Sequence, residues 1–253
     1  MLTCSCKRPV LYQHAHNSHK RGLNVVARAK SPNGCEIDVT YTNDPLVVSQ
    51  WISAASARDV TNDTPLIFGL DCEWRDPARL STVQLATGSR CLVAHLSHMA
   101  YPRMATGAPN AVQAGTHPLP SALLGFLHDV NAYAVGAAVG DDVRLLSGLA
   151  MQHGEPPARV QSRDIATIAA AKGLRGRGLA SICTELFAWP PTWKRSRVAR
   201  SDWDRFPLTK SQLLYAALDA WASSEAYIAL VGMPALDAAY VSAHIEAPVP
   251  HVH

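Results

Sequence analysis

Two carboxylates stand two residues apart in Leu70-Asp71-Cys72-Glu73-Trp74, directly after the apolar run Pro65-Leu66-Ile67-Phe68-Gly69-Leu70. Such a continuous apolar run reads as a strand buried on both faces. Side chains two apart in a strand share a face, so Asp71 and Glu73 project together and Cys72 opposes them. Neighbouring acids at the end of a buried strand need a cation or hydrogen-bond donors, unless the strand end simply reaches water. A second acidic pair, Asp141-Asp142, follows the small-residue segment Val135-Gly136-Ala137-Ala138-Val139-Gly140. Acids at a helix start are favoured by the macrodipole alone, so one of the two can be only a cap. A third group is Tyr215-Ala216-Ala217-Leu218-Asp219, in which the phenol and the carboxylate lie four apart on one helical face. Asp219 stands among Ala, Leu and Trp, where an acid is unfavourable, and no Arg or Lys lies within four residues of it. That absence favours a metal over a salt bridge as its partner.

Four carboxylates with a nearby phenol suit phosphodiester hydrolysis with two metal ions. Hard divalent ions such as Mg²⁺ or Mn²⁺ prefer carboxylate oxygens, and a pair of them about 4 Å apart can clamp an in-line displacement. With an ordinary pKa of about 10, a tyrosine positions the attacking water more naturally than it deprotonates it at neutral pH.

The elements that must carry these residues can be read from periodicity. Residues 36–41 alternate as a strand, Asn43-Asp44-Pro45 begins a helix over 46–57, and 80–85 and 90–96 form strands about the turn Thr87-Gly88-Ser89. Residues 98–117 read as a loop, 120–129 as a helix, 132–139 as a strand and 140–149 as a helix. Asp164 caps a short helix to Lys172, a further helix covers 179–187, and Thr209 caps the longest one, over 209–230. Strands first and then strands alternating with helices predict an α/β domain with a central mixed β-sheet flanked by helices. The domain is expected over residues 35–232, with a basic, disordered leader or targeting segment at 1–34 and a tail at 233–253.

Composition excludes some classes. The chain has 253 residues, 48% of them hydrophobic, and no run approaches the roughly 18 apolar residues of a membrane helix, so no membrane partner is expected. Six cysteines show no paired metal-site spacing, and Cys72 and Cys91 read as small core residues. Cys4 and Cys6 with His14, His16 and His19 match no closed metal site. The first 35 residues carry six Lys or Arg and no acid, which fits a basic arm or an organelle transit peptide; the expected location is intracellular, in the nucleus or an importing organelle. Between Lys172 and Arg205 eight basic residues face three acids, a stretch that reads as an ordinary solvated face or as a flank for phosphates. Trp193 and Trp203 are candidates to stack a terminal base, with a core position favoured for Trp203.

Taken together, the motifs resemble the DEDD superfamily of 3′–5′ exonucleases in its tyrosine-containing branch. Leu70-Asp71-Cys72-Glu73-Trp74 looks like the family's first motif, followed by Ser81-Thr82-Val83-Gln84-Leu85. Gly140-Asp141-Asp142-Val143-Arg144-Leu145-Leu146 resembles the second, in an alignment that selects Asp141 with Asp142 as its rival. Trp203, Phe206-Pro207-Leu208-Thr209, Gln212 and Tyr215-Ala216-Ala217-Leu218-Asp219-Ala220 resemble the third. Leu214, where the other branch carries His, makes Tyr215 the branch marker.

The likeness is nearest to the exonuclease domains of the Werner-syndrome type and of RNase D. It implies an RNase H-like exonuclease fold, two Mg²⁺ or Mn²⁺ ions, and DNA or RNA 3′ ends as partners; protein partners are left open. It further implies that Asp71, Glu73 and Asp219 ligate one ion, that Asp71 bridges to the second, and that Asp141 acts partly through water. The different-class reading is a catalytically silent nucleic-acid-binding module of the same fold.

Overall fold

A computed structural model describes residues 9–19, 22–57, 65–76, 79–100, 119–194 and 196–234. Most of the expected loop at 98–117 and nearly all of the expected tail lie outside these residues, as do Cys4 and Cys6. The strands are β1 (Val10–His19), β2 (Gly22–Lys30), β3 (Glu36–Thr42), β4 (Leu66–Asp76), β5 (Arg79–Thr87), β6 (Arg90–His95), β7 (Ala132–Gly136) and β8 (Gln161–Asp164). The helices are α1 (Pro45–Ser56), α2 (Ser121–His128), α3 (Val139–Gln152), α4 (Ile165–Ala171), α5 (Leu179–Phe187), α6 (Ser196–Ala199) and α7 (Lys210–Gly232). Among the described residues the strands form one mixed sheet in the order β1-β2-β3-β6-β5-β4-β7-β8. No described helix is long and apolar enough to cross a membrane.

The sheet is covered on both faces. One core layer joins Ile37, Val39 and Val93 to α4, α5 and α7; the other joins Phe68, Leu70 and Leu85 to α1, α2 and α3. The buried strand β4 is antiparallel to β5 and parallel to β7, so it sits near the middle of the sheet. Leu70 and Cys72 face the α1–α3 layer, which leaves Gly69, Asp71 and Glu73 on the face of α7.

The leader expected over 1–34 is corrected in its second half. β2 pairs along its length with β3, and Val25, Ala27 and Ala29 are buried, while Arg28 and Lys30 point outward. The basic residues are answered across the strands: Arg28 lies 3.3 Å from Asp38 and 3.6 Å from Glu36, and Lys30 lies 3.8 Å from Glu36. Period-2 alternation therefore outweighs the local charge excess.

Helix α7 lies unusually close to β4. A Cβ on Gly69 would sit 1.8 Å from the carbonyl oxygen of Ala220 and 3.1 Å from the amide nitrogen of Ser224. The helix start is fixed as firmly. Thr209 caps it, accepting from the Gln212 amide, and Gln212 Nε2 donates to Ser201 Oγ and Asp202 O. The preceding segment is pinned to the sheet: the Leu208 amide donates to the Tyr41 hydroxyl, Ser81 Oγ donates to Asp204 Oδ1 at 2.6 Å, and Trp203 is fully buried.

Candidate active site

Three carboxylates from two elements converge on one point. Asp71 and Glu73 come from one face of β4, and Asp219 comes from the middle of α7, held against that face by the Gly69 contact. One ligand oxygen from each lies within 4.8 Å of the others, a spacing that could hold a metal ion. Asp219 is 1% exposed, and its Oδ1 has no hydrogen-bond partner. Beside Asp71 and Glu73 in the sheet are Gln84 and Thr82, both buried, with the amide of Gln84 donating to Thr82 Oγ1 at 2.7 Å. That contact engages part of the polar floor internally and leaves the carboxylates to find their own partner.

The electrostatics follow from this crowding. Burial first, and then the charge of Asp219, holds the Asp71 carboxyl well above the usual range. Glu73 is pushed up to about 10 by burial and by Asp71. Asp219 is also raised by burial, with Lys194 and Tyr215 opposing the shift. Without a cation, the ionised form of this cluster is unfavourable.

The two acids at the start of α3 point to different sides of the helix. Asp141 turns outward, 61% exposed, and pairs with Arg144 at 2.8 Å, one turn along the helix. Asp142 is 6% exposed and lies on the buried stripe of Val139, Leu146 and Ala150. Its carboxyl is raised to about 7, by burial first and then by Asp141, and its charge is felt at both Asp71 and Glu73. The helix is aimed by a tight turn: Ala138 adopts a left-handed backbone (φ 60), and its amide donates to Asp164 Oδ2, whose other oxygen caps α4. A Cβ on Gly136 would come 2.7 Å from the carbonyl oxygen of Leu70, so β7 must deliver this turn close to the first acidic motif.

The sequence reading missed Lys194. The window searched for a basic partner of Asp219 was local, and Lys194 lies 25 residues upstream, at the end of the 3₁₀ turn Pro191–Trp193. Its Nζ is 2.5 Å from Asp219 Oδ2 and 5.2 Å from the centre of the Tyr215 ring. A salt bridge is therefore present where a metal was favoured over one. Burial alone would lower the Lys194 pKa; Asp219, Asp71 and Tyr215 more than offset it. The only signal in the sequence was the basic excess of its neighbourhood.

Tyr215 is 9% exposed and joins the group where expected, its hydroxyl kept protonated by burial and by Asp219. Trp203 is fully buried and unavailable to stack a base, and Trp193 is 5% exposed. Trp193 packs edge-on against Trp189, which stacks on Trp221 of α7. A cleft of about 270 Å³ opens beside Tyr215, lined among others by Leu11, Trp193, Lys210 and Leu214.

Comparison with known proteins finds relatives by sequence and by fold. A family model described as 3′–5′ exonuclease matches residues 48–232. A curated 3′–5′ exonuclease of Arabidopsis thaliana is 30% identical over 177 residues, covering 66% of this chain and 53% of its own length. The chain thus spans about half the length of that relative. Among solved structures, an apo nuclease superposes with a TM-score of 0.50 at 17% identity, over 71% of this chain and 75% of its own. Escherichia coli RNase D gives a TM-score of 0.48 at 20% identity, over 72% of this chain and 42% of its own.

Proposed function

Because this chain belongs to the 3′–5′ exonuclease family of the DEDD superfamily and has its RNase H-like fold, we propose that it shortens nucleic acids from their 3′ ends. The products are nucleoside 5′-monophosphates. The observation that carries this reading is the convergence of Asp71, Glu73 and Asp219 within 4.8 Å, with Asp219 Oδ1 buried and unpartnered. Oxygen-only ligands, raised carboxyl pKa values and an orphaned acceptor fit Mg²⁺ or Mn²⁺, and no cysteine or histidine contributes to the cluster.

Bound there, divalent ions would supply an activated water and charge stabilisation at the leaving oxygen. The chain's own residues do the rest. Asp71 and Glu73 present two carboxylates from a rigid strand, and Asp219 completes the set from α7. Tyr215 keeps its proton at neutral pH and donates a hydrogen bond to orient the attacking water, so it is not the base. We assign the second-motif carboxylate to Asp142, which is buried at the start of α3 and acts electrostatically on Asp71 and Glu73, rather than to the exposed Asp141.

Incubation of a 3′-recessed DNA duplex and a single-stranded RNA with the protein and Mg²⁺ or Mn²⁺ tests the proposal. Stepwise shortening from the 3′ end is expected, and relative rates on the two substrates assign the substrate class. If neither metal supports shortening of either substrate, the exonuclease reading fails. A matched pair of variants tests the second motif. Asp142→Asn is expected to lower kcat/KM on the order of 10²-fold, a loss of about 2.7 kcal/mol in transition-state stabilisation. Asp141→Asn removes only an exposed helix pair and should stay within about twofold of wild type. The reverse ranking would return the role to Asp141.

A further inference from the structure

The acidic centre contains a cation supplied by the chain. Trp193, buried and packed edge-on against Trp189, directly precedes Lys194, whose stem turns inward to Asp219. Its ammonium reaches Asp219 Oδ2 at 2.5 Å and lies over the Tyr215 ring, and its charge is felt by Asp71, Glu73 and Asp142 as well. The side chain is 28% exposed, so one side of it opens to solvent, and a flexible four-carbon stem lets the ammonium move without moving the backbone. Asp219 is thereby divided: Oδ2 holds the lysine and Oδ1 holds nothing.

Charge balance gives this arrangement a direction. Four ionised carboxylates neutralise two divalent ions by themselves. Lys194 then carries one surplus positive charge, and a phosphodiester carries one negative charge. We propose that Lys194 is the resident cation of this centre, holding Asp219 in the metal-free protein, giving up Oδ2 when metal binds, and then moving its ammonium onto a non-bridging oxygen of the scissile phosphate. The phosphate contact rests on the exonuclease reading; the competition with metal does not.

Calorimetric titration of wild type, Lys194→Met and Lys194→Arg with Mg²⁺ alone tests the competition. Lys194→Met should bind Mg²⁺ on the order of 30-fold more tightly, the effect of removing one positive charge about 4 Å from a divalent ion even at the dielectric of water. Lys194→Arg, which keeps the charge, should stay near wild type. A merely structural lysine would give the opposite result, with Mg²⁺ affinity falling as the site loosens, and equal or weaker binding by Lys194→Met overturns the competition. Lys194→Gln provides a second neutral variant should the methionine form fail to fold by near-UV circular dichroism.

The phosphate contact is read separately, on metal-loaded protein. Lys194→Met should cleave a labelled oligonucleotide about 10²-fold more slowly at saturating Mg²⁺ and bind a nucleoside 5′-monophosphate more weakly. Unchanged cleavage and monophosphate binding overturn that half of the proposal. A wild type that hydrolyses nothing, combined with tighter Mg²⁺ binding by Lys194→Met, would sink the exonuclease reading and support the resident cation.

Discussion

Asp71→Asn is expected to abolish hydrolysis, by about 10³-fold or more, while leaving the metal-free protein at least as stable as wild type. The two effects have one cause. The Asp71 carboxyl is raised by burial and by the nearby Asp219, so without metal its charge is a cost to the fold. An amide of nearly the same shape removes that cost and also removes the metal ligand. In EDTA the melting temperature of the variant should equal or exceed that of wild type. With Mg²⁺ at about a hundred times its dissociation constant, wild type should gain about 2.7 kcal/mol and the variant little. A variant that melts earlier in EDTA would show that Asp71 is a structural acceptor rather than a metal ligand.

The same shifts set a pH dependence for the metal-free protein. The folded pKa values of Asp71, Glu73, Asp142 and Asp219 lie above their unfolded values. Between the two values the folded state holds more protons than the unfolded state, so stability falls as pH rises. For Asp142 that window runs from 3.8 to about 7. Denaturant melts in EDTA across this range should show the decline, with a shallower slope in Asp71→Asn.

Gly69→Ala should produce the largest loss of stability. The added carbon would lie 1.8 Å from a helix carbonyl, and neither that carbonyl nor the strand beneath it is a flexible side-chain end. α7 must move outward, which overpacks one side of the interface and opens the other. A loss of about 3 kcal/mol is expected, lowering the melting temperature by roughly 6–12 °C. Displacing α7 also carries Asp219 away from Asp71 and Glu73, so Mg²⁺ affinity should fall even under conditions where the variant is fully folded. Differential scanning calorimetry and Mg²⁺ titration check the two consequences, and a variant close to wild type in both would show that the contact does not set the spacing.

Much of the site was legible because its residues obey local rules. The two-residue spacing of Asp71 and Glu73 and the four-residue spacing of Tyr215 and Asp219 each place a pair on one face, and the structure keeps both pairs together. The non-acidic parts of the third motif also acquire a physical role. Trp203, Leu208, Thr209 and Gln212 fasten the approach to α7, which is how a long motif with one metal ligand is explained. The different placement of Asp141 and Asp142 was legible too, but through a different rule. Asp142 keeps helical register with Val139, Leu146 and Ala150, whereas Asp141 keeps register with Arg144.

Other features follow from contacts that no short window contains. Lys194 meets Asp219 only because the Trp189–Trp193–Trp221 packing folds its loop back onto α7. β2 was hidden for a related reason. Its basic residues suggest a leader when counted alone and become ordinary cross-strand partners once Glu36 and Asp38 lie beside them.

The contact between Gly69 and Ala220 also bears on how this protein can change over time. Because backbone meets backbone there, no side chain separates the strand of Asp71 from the helix of Asp219 at that point. Phe68, Leu70 and the residues around them can drift among apolar types, and the reacting groups keep their distance. That contact lets one chemistry persist while the surrounding sequence diverges, provided that one position remains without a side chain.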